Sequence, residues 1–194
     1  KRYEAKLLDI FAKSSKSYGH INIIPDIDGK FRRIPPFIEY YGKLYPHMGF
    51  LAAVDYLGLS IDSVKFSPGK HILFENGKRI PLDVDSNIIV NFSGKWVDTF
   101  RHYSYVDIIA SYIASMEGDE GPVDLNEFKD AICFIGNTAT AAPDAHPSPF
   151  ESLYPGVGIH ANLFNSMVFD KFIRRAGKLT NILILILLGF VTYF

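Results

Sequence analysis

Asp144 and His146, two positions apart in a loop of proline and small residues, are the one pair in this chain that resembles acid and base equipment. His160 follows in the first turn of a helical pattern, where the helix dipole disfavours its protonated form. It could bind a ligand or a metal, yet no His or Cys stands at a ligand spacing from it, so a hydrogen-bonded structural histidine is the competing reading. The chain has no nucleophile elbow, no phosphate-loop lysine and no His-Glu-x-x-His. Gly156-Val157-Gly158-Ile159-His160-Ala161 has the spacing of a dinucleotide fingerprint, but no strand leads directly into it, and we read the match as accidental. Asp26-Ile27-Asp28-Gly29 opens like a calcium loop and then continues into Lys-Phe-Arg-Arg-Ile-Pro-Pro, which supplies cations where oxygen ligands are needed. No metal and no cofactor is expected.

The loop must be held by its neighbours. The apolar run Ala131 to Ile135, bounded by Gly136, has the length of a fully buried strand. After it come Asn137, Thr138, Thr140, Asp144, His146 and Ser148, and then, from Pro155-Gly156, a helix whose Ile159, Leu163, Met167 and Val168 share one face. Strand, polar loop and helix N-terminus is the order in which open α/β sheets build ligand crevices. A solvated connection held by Pro and Asx turns is the plainer alternative.

Chain length and charge bound the rest. The 194 residues are 48% hydrophobic, enough for a sizeable core in one domain, and a net charge of -1 offers no field to hold a nucleic acid. Cys133 is alone, inside the expected strand, where a thiol packs as a small hydrophobe. The opening stretch KRYEAKLLDIFAKS reads as a charged amphipathic helix of a chain cut from a longer one. Asp26 to Gly29 predicts a tight turn between two short strands, with Arg32 and Arg33 on opposite faces of the second and Asp26 or Asp28 as partner for whichever faces the core. Pro46 to Leu57 reads as a covering helix stopped by Gly58, Asn76-Gly77 as a hairpin turn, Asn87 to Phe92 as a core strand, and Ser104 to Met116 as a helix. Trp96, Phe100 and Tyr103 are expected to cap a core edge. Interleaved strands and helices point to an α/β fold with a mixed β-sheet flanked by helices and carrying β-hairpin insertions. Leu179 to Phe194 has no charged residue and reads as the start of a transmembrane helix.

Taken together, GHINIIPDIDGKFRRIPP, the later FSG, FKDAICFIGNTATAAPDAHPSP and PGVGIHANLFNSMV, followed at once by an apolar stretch, resemble the second type of CHASE domain. The similarity runs from about Gly19 to Asp170, with the first part of the family domain missing. The resemblance implies an extracytoplasmic sensory module of a bacterial membrane receptor, coupled to a cytoplasmic adenylate or guanylate cyclase or a kinase, and not an enzyme in itself. It divides the chain into a sensory domain over 1–178 and the membrane segment over 179–194. Its motif positions are Pro25, Asp26, Asp28, Gly29, Arg32, Gly136, Thr138, Asp144, Pro149, Pro155, Gly156, His160, Ala161 and Asn162. Gly158 departs from the pattern, which usually carries Glu there.

From these positions and the loop, the expected ligand residues are Arg32, Asn137, Thr138, Asp144, His160 and Asn162. Asp26, Asp28, Gly29, Gly136, Pro155 and Gly156 are expected to be structural. The expected partners are a small-molecule ligand of unknown identity, the membrane through the C-terminal segment, and a second copy through the parent receptor, with no nucleic acid. Lys171, Arg174, Arg175 and Lys178 before the membrane segment would by the positive-inside rule place the domain in the cytoplasm, whereas the resemblance places it outside. A membrane-anchored α/β hydrolase or transferase using Asp144, His146 and His160, and a ligand-free dimerisation or spacer module, are the alternatives.

Overall fold

The computed structural model describes residues 8–139 and 144–193. Helix α1 (Asp9–Ser14) leads into strands β1 (Ile24–Pro25) and β2 (Phe31–Ile34), which pair antiparallel across the turn at Asp26 to Gly29. The turn forms as its letters require. Asp26 N–H donates to Lys30 O at 2.8 Å, Gly29 N–H returns to Asp26 O at 2.8 Å, and Gly29 takes the φ of 75° that a side chain would resist. Strands β3 (Phe37–Tyr40) and β4 (Lys43–Pro46) form the next hairpin, and His47 caps helix α2 (Met48–Tyr56). Its Nδ1 accepts the Gly49 N–H at 3.1 Å, satisfying one orphan donor of the first turn.

Strands β5 (Lys65–Ser67), β6 (His71–Leu73) and β7 (Arg79–Pro81) make an antiparallel sheet with the Asn76-Gly77 turn between its last two members. Strand β8 (Ile88–Ile89) pairs with β2. Then follow α3 (Trp96–Thr99), α4 (Tyr105–Glu117), a short 3₁₀ turn over Leu125–Phe128, strands β9 (Ala145–His146) and β10 (Tyr154–Pro155), and helices α5 (Gly156–Val168) and α6 (Lys178–Tyr193).

The core lies where α2 crosses α5 over the small sheets. Phe50, Ala53, Ile159, Leu163 and Met167 from the two helices meet Ile34, Ile72, Ile80, Ile88 and Val90. Gly49 sets the spacing: a Cβ there would stand 2.9 Å from the carbonyl oxygen of His160, so only glycine lets the helices approach this closely.

Four expectations need correction. The chain is α/β, but in place of one mixed sheet the named strands form four small sheets whose ladders are all antiparallel; the parallel pairing among the described residues is the isolated bridge between His20 and His47. Ala131 to Ile135 is extended but has no ladder partner among the described residues. Phe134 alone docks, against Phe164, while Ile132 and Ile135 stay exposed. Cys133 is accordingly exposed rather than buried. Finally, α6 has 16 residues, about 24 Å at the usual rise, against a hydrocarbon core of about 30 Å. No helix among the described residues is long and apolar enough to cross a membrane, so a transmembrane start is not supported.

Candidate functional site

At the N-terminus of α5 a line of titratable side chains runs from the surface into the core. Strand β9 and the residue just before it supply the outer pair, Asp144 Oδ1 and His146 Nε2, 2.9 Å apart. Asp144 also ties down the helix start: its carbonyl accepts the Gly156 N–H at 2.7 Å, and its carboxylate lies so close over Gly156 that a side chain there would collide with it. A carboxylate at this end of a helix is favoured by the dipole. Behind it is His160, 5% exposed, then the fully buried ring of His47, then His20 on the loop before β1. Ring centroids are 4.9 Å apart for His160 and His47 and 5.1 Å for His47 and His20.

The hydrogen bonds of these rings decide their chemistry. His47 Nδ1 accepts from Gly49 N–H, and His20 Nδ1 accepts from Asn22 N–H at 3.2 Å. In the neutral form of each ring the proton therefore sits on Nε2. Both Nε2 atoms are buried without a hydrogen-bond partner among the described residues, as is Nδ1 of His160. Two unmatched N–H donors call for an oxygen acceptor, and a protonated Nε2 cannot ligate a cation. No group of three or more potential metal-binding side chains is assembled among the described residues.

Burial keeps the rings neutral. It pushes His47 down to about 2, with His160 and then His20 adding repulsion, and it is the main cause that brings His20 to about 4. His160 also falls to about 4, chiefly by burial; Asp144 pulls it up and His146 pushes it further down.

The other expected ligand residues lie elsewhere. Arg32 is held by Asp26 at 2.6 Å and forks onto Asp28 at 2.9 and 2.8 Å, which drives the Asp28 carboxyl down to about 2. Arg33, the inward member of the pair, contacts Asp26 and bonds Asp83 at 2.8 Å, so the expected structural pairing holds for both arginines. Asn162 is fully buried: its Oδ1 accepts from Ser93 N–H at 2.9 Å, and its amide donates to Tyr154 Oη and Gly158 O at 2.7 and 2.8 Å. Asn137 closes an Asx turn onto Ala139 N–H at 3.0 Å, and Thr138 beside it is exposed. Thr140 lies outside the described residues. Gly136 packs on the Val157 side chain with no room for a Cβ. At Gly158 a Cβ would meet Tyr154 and Trp96 at 2.7 and 2.8 Å, so those two rings leave no room for a side chain there. Trp96 packs at the core edge, as expected.

The model of the CHASE2 domain family matches residues 1–193. This chain belongs to that family. CHASE2 domains are extracellular sensory domains of signalling receptors, and their role is non-catalytic. No curated protein and no solved structure matches the chain.

Sequence reasoning placed Asp144, His146 and His160 together but missed His20 and His47. No spacing could have marked them, because the three inner histidines come from a loop, a helix cap and a helix far apart in the chain. The weak signal was position: His47 stands where an N-cap is needed, before a helix opening with Met-Gly.

Proposed function

We propose that this CHASE2 domain is the ligand-sensing extracytoplasmic part of a bacterial membrane receptor, and that its ligand sits at the histidine line at the start of α5. The observation that carries this reading is the pair of buried, unmatched Nε2 donors on His20 and His47. Buried donors without acceptors cost free energy, and a small molecule bearing a carboxylate or carbonyl oxygen would satisfy them, entering from the partly exposed His20 side. Helix α5 touches the site at its first turn and runs on through residues 169–177 to α6, which offers a continuous route from ligand to output. The output is an adenylate or guanylate cyclase of the parent receptor, working as a homodimer.

The test is a thermal-shift screen of the purified chain with small carboxylates such as acetate, succinate and amino acids. A responding compound raises the melting temperature of the parent chain and loses its effect in His20→Phe. Asp144→Ala, at an exposed residue, reports whether the outer pair contributes. Loss of fold in His20→Phe, judged by circular dichroism, would assign that ring to structure and leave the donor on His47 to be read by imidazole N–H chemical shifts during the same titration. No shift with any compound, in either melting temperature or imidazole resonances, goes against the site. Turnover of a model ester dependent on His146 would favour the hydrolase reading instead. The reading frame around this chain decides the output.

A further inference from the structure

Away from the histidine line, a surface groove of about 670 Å³ follows β7 toward the start of α6. Four cations line it: Lys70 and Arg79 from the β6–β7 region, and Arg174 and Arg175 from the linker before α6. None of the four side chains makes a salt bridge or hydrogen bond among the described residues. The one carboxylate in the lining, Asp83, is already engaged. Its Oδ2 accepts from Arg33 at 2.8 Å and its Oδ1 from the Asp85 and Asn87 N–H groups at 3.0 and 2.9 Å. The field of the groove is therefore positive, and gathering like charges without counter-charges disfavours the empty state. Between the cations the wall is apolar, with Leu82, Val84 and Ile173.

Strand geometry gives the groove a length. Lys70 stands opposite Leu82, three residues beyond Arg79 on the same strand direction, so their backbone positions lie about 10 Å apart along the strand. Guanidinium forks match phosphate oxygens, and the apolar wall suits an anion that carries hydrocarbon. We propose that this groove binds a phosphate-bearing anion, presented either by the headgroup of an anionic phospholipid or free in solution. The two arginines of the linker stand just before α6, whose large apolar side chains are exposed all round, so a headgroup would meet the groove at the end of the domain that bears that helix.

The experiment follows the melting temperature of the full chain in neutral detergent micelles, with added phosphatidylglycerol, phosphatidylcholine or inorganic phosphate. A rise of several degrees with phosphatidylglycerol and none with phosphatidylcholine assigns the lipid source, and a rise with inorganic phosphate assigns the soluble one. Either rise should vanish in Lys70→Gln/Arg79→Gln, whose exposed side chains leave the fold intact, and in Arg174→Gln/Arg175→Gln. If only the linker pair matters, the effect is that of a basic tail near charged lipid and the groove is overturned. No rise with any of the three additives overturns it as well.

Discussion

Helices α4 and α5 each have 13 residues and each are rich in large apolar side chains, yet their fates are opposite. In α5, eleven residues are buried, from Gly156 to Met167; in α4 only Ser111 is. The difference is not one of pattern. Tyr105, Ile109, Tyr112 and Met116 of α4 stand on one stripe at helical spacing as regular as any in α5, and all four are exposed. What α5 has is small residues on its contact faces and a partner of matching shape: Gly156 under Asp144, Gly158 under Trp96 and Tyr154, and Gly49 of α2 against its backbone. An apolar stripe declares that a helix has a face to bury. It does not supply what buries it.

Truncation is the sharpest way to break this contrast. Leu163→Ala, at a fully buried position of α5, should cost about 2–5 kcal/mol, while Ile109→Ala on α4 should stay within about 0.5 kcal/mol, both measured as urea midpoints. Equal losses would mean that the α4 stripe is covered in solution, and the comparison would fall.

The second test acts on the α2–α5 side through pH. His20 and His160 titrate near 4 and His47 near 2 in the folded chain, against 6.5 when unfolded. Above pH 6.5 all three are neutral in both states and stability does not depend on them. As pH falls below 6.5 the unfolded chain takes up protons that the folded chain refuses, so stability drops progressively through pH 4, by roughly 3 kcal/mol for His160 alone. Urea midpoints between pH 7 and pH 4 should show this slope, and His160→Gln should flatten it. An unchanged slope in the variant would separate the acid response from the histidine line.

The smallest effect belongs to the exposed flank. Cys133→Ser should change stability by less than about 0.5 kcal/mol, and the thiol of the native chain should react with a maleimide within about tenfold of the urea-unfolded rate. A strongly protected thiol would show Ala131 to Ile135 packed as a strand after all.

These contrasts follow the line between what could be read from the letters and what could not. The turns at Gly29 and Gly77, the α2, α4 and α5 helices and the pairing of Arg32 and Arg33 with nearby aspartates were legible because each rests on contacts only a few residues apart. The outer part of the site, Asp144 and His146, was legible for the same reason. The stretch from Ala131 to Ile135 was misread because an apolar run states a demand for a sheet, and strand pairing needs a neighbour that the run does not encode. His20 and His47 were missed because their meeting with His160 depends on the α2–α5 crossing.

By itself, then, the sequence determined the local elements, the family and the pairing of Asp144 with His146, since hydrogen bonds within turns and helices and a shared order of motifs need no tertiary knowledge. Only the tertiary structure decided which apolar surfaces found partners, which histidine nitrogens were left unmatched, and which cations came to share a groove. Burial, desolvation and electrostatic fields arise from side chains brought together across long stretches of chain, and nothing in their spacing along it announces that meeting.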